Sequence, residues 1–361
     1  MKKKLLFLSM YPAPYRVNII DRYRADFDVD AYFDAYSGDE RDEKWFRQGD
    51  YRVLENEADA GVFRDLDLKS YDAALVFEYS TSKGVALALR SKRKKVPYFI
   101  NCDGVILQKH GNLLKDALKR FLIKGAAGCF AGGEYAKQYF LRFGADEKRI
   151  FVHGFTELEE DDILPAPPSR EEKAVIRQKL GLPADKRIAV AVGRFIGLKR
   201  YEHLIRAWKD MPRDDVLLLI GGGNMEETYN RLIQEYRLDN VILKGFEPKS
   251  SLFEYYKACD VFVHPSSYEA WGLVVNEAMA CGLPVAASDR CIAGLELIKD
   301  GVNGYLAQMG DEPALCSRVS QILDSDRYHE MAANALDTIR PYTVSHMVRV
   351  QTDAIKEILT K

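Results

Sequence analysis

The chain has 361 residues, with 52 Lys and Arg against 54 Asp and Glu, a net charge of −2, and 47% hydrophobic residues. That length suits about two domains with sizeable cores, and the near-neutral balance gives no global charge that would draw in nucleic acid. The six cysteines, Cys102, Cys129, Cys259, Cys281, Cys291 and Cys316, form no C-x-x-C pair and mostly sit in apolar runs. They read as reduced core thiols of a cytoplasmic protein, not as a disulfide framework or a zinc site.

The opening KKKLLFLSMYP imitates a signal peptide, but its apolar run is short, no small-residue cleavage site follows, and Pro12 ends it. It is expected to be the first strand. No apolar run approaches the ~20 residues of a membrane span. Further strands are expected at 29–33, 73–77, 98–101, 128–131 and 150–153, the first covering 5–10. Helices fit between several of them, at 17–27, 83–92 and 135–143. This alternation predicts a parallel sheet covered on both faces. An acidic run at 157–162 and the PAPP of 165–168 mark a linker. A second alternating series then gives strands at 188–192, 216–220, 241–244, 261–264, 284–287 and 304–307, with a last helix at 345–359. The expected domains are 1–165 and 166–341, with 342–361 as a terminal helix.

One stretch of the first half is strongly basic. Residues 83–124 hold eleven Lys and Arg against two Asp, a local balance of +9. The stretch includes RSKRKK at 90–95 and an amphipathic helix at 113–124. Leu113, Leu114, Ala117, Leu118, Phe121 and Leu122 share one face of that helix, with Lys115, Lys119, Arg120 and Lys124 elsewhere. Such a helix suits an anionic membrane surface or a lipid-linked, phosphorylated acceptor. It equally suits an ordinary sheet-covering helix with a solvated basic face.

Ligands of open parallel sheets bind beyond the carboxyl ends of the strands, so chemistry is sought there. After the strand at 188–192, Gly193 allows a tight turn, and Arg194 and Lys199 place two cations in one loop. Fixed cations stabilise the charge that builds on a departing diphosphate more in the transition state than in the ground state. Gly221-Gly222-Gly223 and then Lys244-Gly245-Phe246 end the next two strands. The richest stretch is 261–306. It carries Glu269 and Glu277 with seven residues between them, a Trp271-Gly272 turn, and an apolar helix at 273–281 ended by Gly282 and Pro284. Backbone N–H groups near Gly272, Leu273 and Val274 lie at that helix start, where they can face a polar or anionic ligand. An ionised carboxylate only accepts hydrogen bonds, which suits a polyol. In the first domain, Tyr15 and Arg16 follow a proline-bearing loop after the first strand, and Asp103 ends the strand at 98–101. His110 and Glu134 are further candidates to line the site.

These features together, with EAMACGLPV around Glu277 and with Glu296 ahead of DGVNGYL, resemble the retaining glycosyltransferases of the GT-B fold called glycosyltransferase family 4. The resemblance is strong over nearly all of the second domain and holds only in outline for the first. It implies an α/β protein with two Rossmann-like doubly wound domains facing across a cleft and a C-terminal helix crossing back to the first domain. It implies transfer of a sugar from a nucleotide-diphosphate donor, a UDP- or GDP-sugar, to a hydroxyl acceptor, with retention at the anomeric carbon. The acceptor would be a glycan or lipid-linked glycan, and the protein would be cytoplasmic, either free or held peripherally at the inner face of a membrane through its basic stretch. No metal or other cofactor is implied, since Arg194 and Lys199 take the metal's role. In a front-side mechanism the hydroxyl attacks from the leaving-group side and a phosphate oxygen takes its proton. The resemblance gives Glu277 the ribose hydroxyls and Glu269 the sugar. It sets Gly193, Gly222, Phe246, Trp271, Gly272, Leu273, Val274 and Glu296 around the donor. Asp103, at its strand end, is the candidate to contact the sugar or acceptor, with Tyr15, Arg16 and His110 as candidates on the acceptor side. One departure stands out: many relatives carry Gly-Gly where this chain has Cys291-Ile292-Ala293-Gly294-Leu295. A sugar phosphorylase on the same fold would need a lysine-bound pyridoxal group and a longer chain. A non-catalytic nucleotide-sugar-binding subunit of a glycan-assembly complex is the rival from another class, and degraded Glu or Arg/Lys positions would favour it. All four are present.

Overall fold

The structure is a computed structural model that describes residues 2–35, 48–106 and 112–360. It divides into two compact units, Met1–Glu157 with Val344–Lys361, and Leu158–Thr343. The first boundary thus falls at the start of the acidic run and not after the first proline of PAPP. The segment 160–162 is a short 3-10 turn already belonging to the second unit.

The first unit runs β1 (Lys4–Ser9), α1 (Pro14–Asp26), β2 (Asp28–Phe33), β3 (Arg52–Val53), α2 (Glu57–Asp65), β4 (Ala73–Val76) and α3 (Ser82–Lys94). It continues with β5 (Tyr98–Cys102), α4 (Leu113–Gly125), β6 (Gly128–Ala131), α5 (Glu134–Arg142) and β7 (Ile150–Val152). The strands form one parallel sheet in the order β3-β2-β1-β4-β5-β6-β7. Strands β1, β4 and β6 are buried along nearly their whole length, as a sheet covered on both faces requires. Helix α1 starts earlier than the sequence suggests, because Pro14 sits at its first position, where a missing N–H costs nothing. Tyr15 and Arg16 therefore belong to a helix turn and not to an extended loop.

The second unit runs α6 (Arg170–Leu180), β8 (Arg187–Val192), α7 (Tyr201–Trp208), β9 (Asp215–Ile220), α8 (Glu226–Glu235), β10 (Val241–Lys244) and α9 (Lys249–Ala258). It continues with β11 (Val261–His264), α10 (Leu273–Ala280), β12 (Val285–Ser288), α11 (Ile292–Leu297), β13 (Gly304–Ala307), α12 (Glu312–Leu323) and α13 (Tyr328–Ile339). Its parallel sheet has the order β10-β9-β8-β11-β12-β13. The strand order reverses between β8 and β11, whose register pairs Val261 with Ala189. That reversal is the position at which such sheets receive ligands. Trp208, Tyr201, Tyr229 and Phe195 fill the core on one side of the sheet.

Helix α6 is fastened to the amino-terminal ends of these strands through one carboxylate. Asp260 accepts from Lys173 Nζ at 3.0 Å, Arg177 Nη2 at 2.7 Å and the Ile188 N–H at 2.8 Å. Both cations are buried. A Ser169–Glu172 capping box starts α6, and Gly181 in the left-handed region ends it.

The last helix, α14 (Val344–Thr360), belongs to the first unit. It packs on α1, β6 and β7, and Tyr23 Oη donates to Gln351 Oε1 at 2.5 Å in the buried contact.

Candidate functional site

In the second domain, the loops after β8 and β11 meet at the point where the strand order reverses. The Ser267 N–H and hydroxyl both donate to the Leu198 carbonyl at 3.0 Å, tying the two loops together. That tie brings Lys199 onto Glu269, and Lys199 Nζ donates to Glu269 Oε2. His264, the last residue of β11, places Nε2 3.6 Å from the same carboxylate oxygen. Its ring is fully buried, and among the described residues neither nitrogen has a hydrogen-bond partner. Burial opposes charge on Glu269, but the adjacent His264 and the Lys199 ammonium more than offset it and hold the carboxyl at about 2. Burial also pulls the His264 imidazole below its ordinary value, against the pull of Glu269. Glu269 is thus a fixed acceptor, and Lys199 is a cation already held at the sheet's carboxyl end.

The backbone of Glu269 is equally constrained. It forms a short parallel bridge with Cys291, its N–H donating to the Arg290 carbonyl at 3.0 Å. Cys291 Sγ and the Ala293 N–H both donate to the Trp271 carbonyl, at 3.2 and 2.8 Å. Gly272 then turns at φ +106°, and a Cβ there would come within 2.8 Å of Cys291 Sγ and 3.1 Å of Glu269 Cγ. The chain therefore needs glycine at this turn. Cys291, within the stretch that departs from the relatives' Gly-Gly, packs its sulfur against this turn. Helix α10 starts immediately after Gly272, with Leu273 and Val274 half-buried at its first turn. The buried Trp271 indole donates to Asn276 Oδ1 at 2.9 Å.

Glu277, one turn further along α10, is buried, and its Oε2 accepts from Tyr256 Oη at 2.9 Å. That phenol is fully buried, and burial together with the carboxylate raises it well above its ordinary value. It is thus a permanent donor that aims the Glu277 carboxylate.

The loop after β8 is stitched to the glycine loop after β9. The Phe195 N–H donates to the Gly222 carbonyl at 2.7 Å, and the Gly193 N–H to the Ile220 carbonyl at 3.0 Å. A Cβ on Gly221 would lie 2.0 Å from the Gly193 carbonyl oxygen. Gly221 and Gly223 thus serve close backbone approach, whereas Gly222 faces open space. Arg194 is exposed at the edge of this arrangement, and Phe246 is exposed after β10. Glu296 lies within α11. It is half-buried, and its carboxylate adds to the rise that burial gives the Tyr342 phenol. A separate cavity of about 280 Å³ lies at the opposite ends of the strands. Asp260 engages Lys173 and Arg177 in its wall.

In the first domain, Arg16 is buried and paired with Asp103, whose other oxygen accepts from Asn101 Nδ2 at 2.7 Å. The Arg16 guanidinium lies 5.1 Å from the Tyr15 ring and 4.9 Å from the Phe77 ring. Buried His153 is held near 4, chiefly by burial. Arg16 and Asp103, expected as separate contacts, are thus one ion pair. Glu134 opens α5. His110 lies outside the described residues.

His264, Tyr256, Asn276 and Cys291 are the site residues that motif reading passes over. His264 and Tyr256 lie in apolar runs that read as core. The only sequence signal for His264 is its position as the last residue of a strand, just before Pro265 and Ser266.

Two Rossmann-like parallel-sheet domains, the second holding this carboxylate and lysine cluster where its strand order reverses, define the GT-B fold. Solved GT-B structures superpose over the whole chain. HepE of Anabaena, in a crystal structure with UDP and glucose, matches with a TM-score of 0.74 at 20% identity, over 98% of this chain and 100% of that one. Residues 172–337 match the family described as Glycosyl transferases group 1, and the second domain belongs to it. Among curated relatives, a D-inositol 3-phosphate glycosyltransferase of Xylanimonas cellulosilytica is 31% identical over 210 residues, 56% of this chain and 50% of that one. A Campylobacter jejuni N-acetylgalactosamine-N,N'-diacetylbacillosaminyl-diphospho-undecaprenol 4-alpha-N-acetylgalactosaminyltransferase is 27% identical over 171 residues, 47% of this chain and 46% of that one. The chain spans about half the length of these curated relatives. Among the described residues, no helix is long and apolar enough to cross a membrane.

Proposed function

We propose that this protein is a retaining, metal-independent glycosyltransferase of family 4. It moves a sugar from a UDP- or GDP-sugar to a hydroxyl of a glycan or lipid-linked glycan, in the assembly of cell-surface polysaccharide or glycoconjugate. The observation that carries this reading is the Lys199–Glu269 pair, fixed where the strand order reverses, with buried Glu277 on the following helix held by Tyr256. Lys199, with Arg194, takes the donor diphosphate and stabilises its growing charge as the sugar bond breaks. Glu269, relieved of Lys199, accepts hydrogen bonds from sugar hydroxyls, and Glu277 accepts them from the ribose. Backbone N–H groups from Gly272 to Val274 face the sugar and phosphate. The acceptor hydroxyl attacks from the leaving-group side and passes its proton to a donor phosphate oxygen, so no protein general base is assigned. Asp103, Arg16 and Tyr15 belong to the acceptor side. The UDP and glucose of the HepE structure and the lipid-diphosphate in the Campylobacter enzyme's name favour this donor and acceptor class. An acceptor of that kind puts the protein at the inner face of a membrane, bound peripherally.

A panel of UDP-, GDP- and ADP-sugars, read by thermal shift and by donor hydrolysis, tests the reading. One donor should both raise the melting temperature and be hydrolysed. Stabilisation without hydrolysis or transfer moves the non-catalytic binding subunit ahead, and no response to any donor rejects both.

A further inference from the structure

We propose that the outward face of α4 docks on an anionic phospholipid bilayer. This deepens the membrane placement given above and rests on it. The sequence leaves α4 with two equal readings, and the structure separates them by showing which side of the helix is buried.

At about 100° per residue, Leu113, Leu114, Ala117, Leu118 and Phe121 fall within one arc of roughly 140°. The buried pair, Leu122 and Ile123, is centred on the opposite side. Leu113 is 87% exposed, Leu114 82%, Phe121 50% and Leu118 38%. The apolar stripe thus points away from the sheet, the reverse of a sheet-covering helix. A run of exposed large side chains along one helix marks an interaction surface.

The helix is well held in this orientation. Asn112 caps it, accepting from the Leu114 and Lys115 N–H groups at 3.0 and 3.3 Å. At its far end, Tyr98 Oη donates to the Leu122 carbonyl at 2.6 Å. Lys119 turns inward, 5.6 Å from the Phe143 ring.

Charge selects the occupant. Lys115, Arg120 and Lys124 are exposed beside the stripe. The neighbouring end of α3 adds exposed Arg93 and Lys94, with Lys95 just beyond it. Lys92 of the same helix sits 3.6 Å from the Phe121 ring. An apolar stripe edged by cations matches a surface with anionic headgroups over hydrocarbon. A second copy of the same cationic patch would instead be repelled.

Sedimentation of the full chain with vesicles of phosphatidylcholine, alone or mixed with phosphatidylglycerol, tests this. No donor is present, so failure here is separable from failure of the donor panel. Binding is expected to the mixed vesicles, far less to the neutral ones, and to weaken with salt. Leu114→Gln with Phe121→Gln should lower it about tenfold, as should Lys115→Glu with Arg120→Glu. All four positions are exposed, so unchanged melting curves will show that folding is intact. The proposal is overturned by no binding to mixed vesicles or by equal binding to both kinds. A dimer abolished by Leu114→Gln with Phe121→Gln, with vesicle binding unchanged, also overturns it.

Discussion

Lys199 and Glu269, seventy residues apart in sequence, hold each other at the carboxyl end of the second sheet. The pair sets a pH dependence whose sign can be worked out. Glu269's carboxyl is held at about 2 in the folded protein, below its ordinary value of 4.5. Its contribution to stability is therefore fully present above about pH 4.5 and is lost as pH falls toward 2. Melting temperatures of the wild type and Glu269→Gln should differ near neutrality and converge at the acid end. Lys199→Ala should lower kcat by about 10²-fold, with a smaller change in KM, because the cation acts mostly in the transition state. Removing the ammonium also lets Glu269 titrate higher, so the acid limb of the kcat/KM profile should shift to higher pH. Unchanged kcat in both Lys199→Ala and Arg194→Ala would show that the diphosphate lies elsewhere.

The two glutamates should divide the donor between them. Glu277→Gln should weaken free UDP or GDP about tenfold, the scale of a charged hydrogen bond. Tyr256→Phe removes one donor that aims the same carboxylate and should produce a smaller loss in the same direction. Glu269→Gln should leave nucleotide affinity nearly unchanged and depress turnover of the whole donor. Calorimetry beside kinetics separates the three variants.

Gly272→Ala tests the turn. The added methyl must displace Cys291 Sγ or Glu269 Cγ, in a backbone conformation that alanine rarely adopts. A fall in kcat of about tenfold or more is expected. Gly272→Ala combined with Cys291→Ser should recover part of it if crowding by sulfur is the cause.

Removing metal should change nothing. Transfer is expected to persist in excess EDTA, as the role proposed for Lys199 and Arg194 in place of an ion requires. Complete loss that Mg²⁺ or Mn²⁺ restores would contradict this.

Asp260→Asn should destabilise the second domain strongly. Lys173 and Arg177 are both buried against this carboxylate, and breaking a buried pair costs about 3–5 kcal/mol. Urea unfolding of the second domain measures the loss.

The strands expected from apolar runs recur with their ends moved by a residue or so, because each buried run is bounded by turn residues that sequence displays. Strand β3 was not legible: its two residues are too short for any alternation to show. The orientation of α4 was not legible either, since a period reports that one face is apolar and not which way it points. In the site, Glu269, Glu277 and Lys199 could be singled out from their motifs and strand-end positions. Their pairing could not, since loop packing such as Ser267 on Leu198 brings them together. His264 was missed because a buried imidazole in a strand carries no pattern of its own. Arg16 and Asp103 could each be named, but nothing in the sequence says that they neutralise each other.

The first unit is assembled from both ends of the chain, with Gln351 of α14 closing on Tyr23 of α1. During synthesis the second unit is therefore complete once Thr343 has left the ribosome, while the first still lacks a buried helix. The usual order, in which the amino-terminal domain matures first, would leave the first unit without α14. A polypeptide ending at Glu157 would present the apolar bed of α14 to solvent, whereas one spanning Leu158–Thr343 carries its whole set of strands and covering helices. The second unit is accordingly the one to express alone, and the first would need α14 returned to it, either joined by a short linker or added as a separate peptide.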